Sequence, residues 1–209
     1  MINNIAMLGN EYEFYKKIEP ELNLIIDAGA RDSFFLGVNC YIHFFEPDTE
    51  AFNSLSKNVN DKYIFNKLGL GSENKETTLY NNIGSTYNRF GHDVGSQEKI
   101  LITRLDSYIS ENNIKEISLL KIDTEGMEYE ILLGMGDYLN ICKYIVFEYA
   151  WDTAEAAGVK FVDIKNLLKN YDLFEMGTNG HLINVNELKI TNRVYPNTNN
   201  IVAKNKKNG

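Results

Sequence analysis

The chain has 209 residues, 44% of them hydrophobic and 24% charged, with a formal net charge of −8 and a pI near 5.0. Such an acidic balance, with no basic stripe beyond the short "AKNKK" segment, repels phosphate backbones and disfavours a nucleic-acid substrate. Apolar runs too short to span a membrane, no apolar signal core in residues 1–20 and only two cysteines point to a cytoplasmic protein without a disulfide framework or a clustered metal site.

In chain order, "LNLIIDAG" (22–29) reads as a buried strand closed by Asp27 and Gly29, and "YIHFFEP" (41–47) as a second, stopped by Pro47. The 11 residues between Gly29 and Tyr41 leave room for only a short first helix. Asp48 or Thr49 offers an N-cap for a helix carrying Phe52, Leu55 and Val59 at helical spacing. Strands follow around 63–68, 76–81 and 99–105, then a short helix "LDSYISEN" and the strand "SLLKID" (118–123). Met127, Ile131 and Met135 share one face of the next helix, and "KYIVFEY" (143–149) is another buried strand. Ile164, Leu167, Leu168 and Tyr171 mark an amphipathic helix, after which "YDLFEMG", "GHLINVNEL" and "NNIVAKN" read as strands joined by Asn-rich turns.

Strands alternating with helices predict an α/β fold with a mostly parallel sheet, helices on both faces and an antiparallel C-terminal strand. The expected organisation is one domain over 1–209: a lead-in to residue 21, a ligand-binding core over 22–149 and a C-terminal helix and strand hairpin over 150–209. Ligands of such sheets sit outside the carboxyl ends of the strands. Asp27, Glu46, Asp123 and Glu148 all stand at or near strand tips, and four mutually repelling carboxylates on one rim suggest a site. A dinucleotide site needs three glycines after the first strand to cradle a pyrophosphate. "DAGARDSFFLG" has one in that place and aims Asp32 at the phosphates. The ligand is therefore expected to be a nucleoside without phosphate, with Glu46 accepting both ribose hydroxyls. S-adenosylmethionine fits, since its sulfonium and ammonium charges suit an acidic rim.

The segments "IIDAGAR", "FFEPDTEAFNSLSKNV", "LGLGSENKETTLYNN", "ITRLDSYI", "LLKIDTEGMEYEILLGM" and "IVFEY", over residues 24–149, resemble the FkbM family of methyltransferases. The most specific is "KIDTEGMEYEIL", because family members carry K-I-D-x-E-G-x-E there. The resemblance implies a class I methyltransferase (Rossmann-like) three-layer sandwich and methyl transfer from S-adenosylmethionine, usually to an oxygen of a small molecule or glycan. It carries Asp27, Gly29, Ala30, Glu46 and Pro47 as cofactor contacts. Arg31, Asp32 and Ser33 stand where the family often has Asn and a second Gly. The polar stretch 84–96 is expected to close over the cofactor, with Ser85 or Thr86 on its carboxylate. Asp123 and Glu125 are candidate bases for an acceptor hydroxyl, and Glu128, Glu148 and Trp151 candidate acceptor contacts. A metal-free site is the expected form. The alternative places a divalent cation on Asp123 and Glu148, as in one branch of class I methyltransferases. Rival readings are a non-catalytic binding module that keeps the fold, separated by calorimetry, and an NAD-linked oxidoreductase, weakened by the missing glycines.

Overall fold

The computed structural model describes residues 9–81, 88–89, 96–124, 126–150, 154, 158–185 and 198–208. Its elements are α1 (Gly9–Ile18), β1 (Leu24–Ala28), β2 (Tyr41–Phe45), α2 (Thr49–Leu55), β3 (Tyr63–Asn66), β4 (Gly69–Leu70), β5 (Lys75–Asn81), β6 (Asn88–Arg89) and β7 (Ser96–Thr103). The chain continues through α3 (Leu105–Glu111), β8 (Ile117–Ile122), α4 (Glu128–Gly134), β9 (Cys142–Ala150), α5 (Phe161–Leu167), β10 (Tyr171–Met176), β11 (Leu182–Asn184) and β12 (Thr198–Asn205).

Eight strands form the main sheet in the order β3-β2-β1-β8-β9-β12-β10-β11. From β3 to β9 all neighbours are parallel, which suits their near-continuous apolar runs, buried on both faces. β12 runs antiparallel between β9 and β10, so the expected antiparallel C-terminal strand is present but stands two strands in from the edge. A second sheet, β4-β7-β5-β6, is inserted between β3 and α3.

Alternation along each strand sorts the core into two layers. Ile26, Leu120 and Ile145 face α3, α4 and α5 through Leu105, Ile109, Ile131, Leu132 and Ile164. Ile25, Leu119, Val146 and Val202 face the opposite way, onto Phe14, Tyr15 and Ile18 of α1. The result is a three-layer sandwich with the sheet in the middle.

Two local expectations are corrected. Asp48 caps α2 by accepting the Ala51 N–H at 2.8 Å, but the helix ends at Leu55, and Val59, expected on its apolar face, is 88% exposed. Between β1 and β2 the chain makes turns and no helix. Ser33, Phe35, Val38 and Cys40 of this connection are buried against the sheet instead.

Candidate functional site

Asp27 follows Ile25 by two residues on β1 and so shares its face, the one covered by α1. The same count puts Lys121 after Leu119, Glu148 after Val146 and Glu46 after Phe44. Asp27 and Lys121 are register partners, and the Asp123 N–H donates to the Ala28 carbonyl at 3.0 Å. Because β2, β1, β8 and β9 are parallel, these groups gather at one end of the sheet, the carboxyl end. The apolar α1 face thus turns polar at its rim, and Asp27, Glu46, Asp123 and Glu148 lie along it.

Lys121, buried at 5% exposure, is the cation among them. Its Nζ lies 3.0 Å from Asp123 Oδ2, 3.9 Å from Asp27 Oδ1 and 5.3 Å above the centre of the Phe34 ring. Burial alone would favour the neutral amine, but Asp123, Asp27 and Glu11 outweigh it and hold the ammonium charged. Asp27 is 1% exposed, and the Ser33 hydroxyl donates to its Oδ2 at 2.5 Å, while Oδ1 has no hydrogen-bond partner among the described residues. Burial pushes the Asp27 carboxyl above the usual range, with Lys121 and Ser33 pulling it back.

Glu46 is also buried. Its Oε2 accepts the Arg31 N–H at 3.0 Å and its Oε1 the Asp48 N–H at 2.8 Å. Burial raises its pKa, and these two backbone donors oppose the rise. The connection that departs from the family's usual residues therefore binds both carboxylates, Ser33 through its hydroxyl and Arg31 through its backbone.

The remaining sequence candidates divide by place. Gly29, at φ +76°, is required by the chain's own backbone: an added Cβ would lie 1.9 Å from the Asp123 carbonyl oxygen. The Gly29 and Ala30 N–H groups both donate to the Phe45 carbonyl, at 3.0 and 3.1 Å, which ties this turn to β2. Pro47 is half-buried beside Glu46. Glu128 turns back into the loop before α4, where Oε1 accepts from the Thr124 N–H, the Thr124 hydroxyl and the Gly126 N–H at 3.1–3.3 Å. Glu130 accepts from the Ser72 hydroxyl and joins α4 to the inserted sheet. Ser85, Thr86, Glu125 and Trp151 lie outside the described residues. Among the described residues, no three His, Cys, Asp or Glu side chains form a group that could hold a metal ion, and no helix is long and apolar enough to cross a membrane.

The Methyltransferase FkbM domain matches residues 27–173, from the Asp27 strand tip through the rim strands to β10. The chain belongs to the FkbM methyltransferase family. A solved structure of methyltransferase FkbM from Methylobacillus flagellatus KT superimposes with a TM-score of 0.55 at 14% identity, over 88% of this chain and 44% of that one. The N-terminal domain of human METTL16 superimposes with a TM-score of 0.51 at 11% identity, over 98% and 72%. At such identities the likeness is one of fold, the class I methyltransferase sandwich. A 68-residue stretch is 34% identical to part of an endoglycoceramidase from Hydra vulgaris, covering 32% of this chain and 13% of that protein. The chain thus spans less than half the length of the FkbM structure and a small part of the Hydra protein.

The FkbM segment begins at Asp27, and α1, which covers this face of the sheet, lies outside it. Burial raises the carboxyl pKa of Glu11 on α1; Lys121 opposes this, and Asp123, Glu148 and Asp27 add to it. Glu11, Tyr15 and Lys121 are not strand-tip carboxylates, so the pattern that marks Asp27, Glu46, Asp123 and Glu148 does not mark them. Their signals were a lysine inside the otherwise apolar "SLLKI" strand and the 11-15-18 spacing of the first helix.

Proposed function

We propose that this FkbM-family chain transfers a methyl group from S-adenosylmethionine to a hydroxyl of a small molecule or glycan. The observation that carries the reading is the polar rim at the carboxyl ends of β2, β1, β8 and β9, inside the segment the family matches. The residues present fit this donor. Each Glu46 oxygen accepts one backbone N–H and keeps a second lone pair, enough for two ribose hydroxyls. Asp27 Oδ1, buried without a hydrogen-bond partner, suits an ammonium group.

When bound, S-adenosylmethionine supplies a methyl carbon activated by a sulfonium. The chain's own task is alignment and exclusion of water. Lys121 holds Asp123 by Oδ2, and Oδ1 would hold the proton of an acceptor hydroxyl and take it up once the methyl has left sulfur for that oxygen. Glu125 is the second candidate for that proton. Glu148, on the neighbouring strand, and Trp151, just beyond it, are the candidate acceptor contacts.

Calorimetry with S-adenosylmethionine, followed by transfer of radiolabelled methyl to a panel of sugars, small alcohols and small amines, tests the reading. Glu46→Ala is expected to weaken donor binding by about 1.5–3 kcal/mol, the scale of hydrogen bonds to a charged group. A wild-type chain that binds no donor is a non-catalytic module with this fold. Labelled amines with unlabelled alcohols would reject the hydroxyl acceptor.

A further inference from the structure

Two buried polar atoms in the described structure have no hydrogen-bond partner, the Tyr15 hydroxyl and Asp27 Oδ1. They belong to the same layer. Tyr15 is fully buried on α1, its ring 5.1 Å from that of Phe35, in the apolar cluster that also holds Ile25, the residue two before Asp27 on the α1 face of β1. A buried hydroxyl without a partner forfeits its hydration, so native structures retain one where a ligand or water completes it. Glu11 stands one helical turn before Tyr15 on the same stripe, and Ile18 one turn after. Since α1 leads through Ile18 and Leu22 to the start of β1, its Glu11 end lies toward the carboxyl end of the sheet. The electrostatic coupling of Glu11 to Lys121, Asp123, Glu148 and Asp27 agrees.

The groups in this layer form a complementary set. Glu11 and Asp27 Oδ1 are acceptors, and the Tyr15 hydroxyl and Lys121 ammonium are donors. A ligand with an ammonium and a carboxylate on one carbon presents the mirror pattern. A nucleoside base or a sugar presents neither charge. The family match starts at residue 27, so nothing in it assigns α1 a role.

We propose that α1 contributes Tyr15 and Glu11 as binding residues for the α-amino-acid end of the methyl donor, Tyr15 donating to its carboxylate and Glu11 accepting from its ammonium. The proposal rests on the donor assignment above, and its test separates the two. Calorimetry is run on wild type, Tyr15→Phe and Glu11→Gln with S-adenosylmethionine and with 5′-methylthioadenosine, which keeps the nucleoside and thioether but lacks the amino-acid end. Each variant is expected to bind S-adenosylmethionine about tenfold or more weakly, the loss of one hydrogen bond to a charged group, and to bind methylthioadenosine as wild type does. Equal weakening for both ligands would make α1 a structural support only and overturn the proposal, as would unchanged S-adenosylmethionine affinity. A wild-type chain that binds neither ligand fails the donor assignment itself. Thermal melting without ligand adds a second readout. Tyr15→Phe removes a hydroxyl that bonds nothing in the fold, so its Tm should equal or exceed that of wild type, and a clear fall would reveal a structural hydroxyl and defeat the ligand role.

Discussion

Lys121 is the residue on which the rim's charge balance turns. Replacing it by Met leaves Asp27 buried beside Asp123 with no cation, and loss of one partner from a buried pair costs about 3–5 kcal/mol. The sign with pH follows from Asp27, whose folded pKa is raised by burial. A raised carboxyl contributes stability below its unfolded pKa and loses it as pH rises through the folded one. The deficit of Lys121→Met should therefore be largest at neutral pH and shrink on acidification as Asp27 takes a proton. Urea unfolding of both proteins across this range checks it, and a deficit independent of pH would show that packing of the lysine stem dominates. Sequence alone exposed the carboxylates, because acidic residues at the ends of apolar strands break a visible pattern. It did not expose their neutralisation, since the pairing of Asp27 with Lys121 is a register relation between strands 94 residues apart in the chain. Nor did it reveal that Glu128 spends its carboxylate on its own loop, because Thr124, Gly126 and Glu128 meet only once that loop has folded.

Among the elements, α1 packs on the sheet through Phe14, Tyr15 and Ile18 and is pinned from outside by a turn distant in sequence. The 3-10 turn at Thr178–Gly180 packs on it so closely that a Cβ at Gly180 would lie 2.4 Å from the Phe14 nitrogen. Lys17 Nζ donates to the Asn179 carbonyl at 2.8 Å, and the Asn179 N–H donates to Asn10 Oδ1 at 3.2 Å. Gly180→Ala combines that collision with a positive φ of 64°, so it should lift α1 from the sheet and cost about 2–3 kcal/mol. Hydrogen exchange in residues 10–18 should rise while β1 and β8 stay protected, and uniform loss of protection would show that α1 does not yield separately. The strands were legible because continuous apolar runs ended in Asp, Gly or Pro. The absent helix between β1 and β2 was not, because Phe35 and Val38 are as compatible with a buried turn as with a short helix. Val59 misled for the same reason: its spacing from Leu55 is helical, but α2 ends at Leu55 and leaves it in solvent.

For the whole molecule, buried weak acids set the alkaline limit. Burial pushes the Cys40 thiol up to about 11 and the Tyr144 hydroxyl up to about 12, with Glu21 adding to the latter. Groups raised in the fold stabilise it below their unfolded pKa and lose that contribution as pH rises through the folded value. Unfolding free energy should thus fall from about pH 8.5, where an exposed thiol ionises, toward pH 11 and beyond. Cys40→Ala should make the decline above about pH 8.5 shallower in a series of urea melts, the buried Cys142 thiol, also raised by burial, supplying the rest, and an unchanged slope would assign it to other groups. The sheet order also constrains how the molecule assembles. β10 precedes β12 in the chain, yet in the main sheet it reaches β9 only through β12, which pairs with β9 along Thr198–Lys204 and with β10 along Ile201–Asn205. The β10–β11 hairpin, although made earlier, has no sheet to join until β12 has slotted in. The turn that seats α1 lies between β10 and β11. α1, although it precedes every strand of the sheet, therefore gains the turn that pins it only once residues 198–205 have paired, its own apolar stripe meeting β1 and β8 meanwhile.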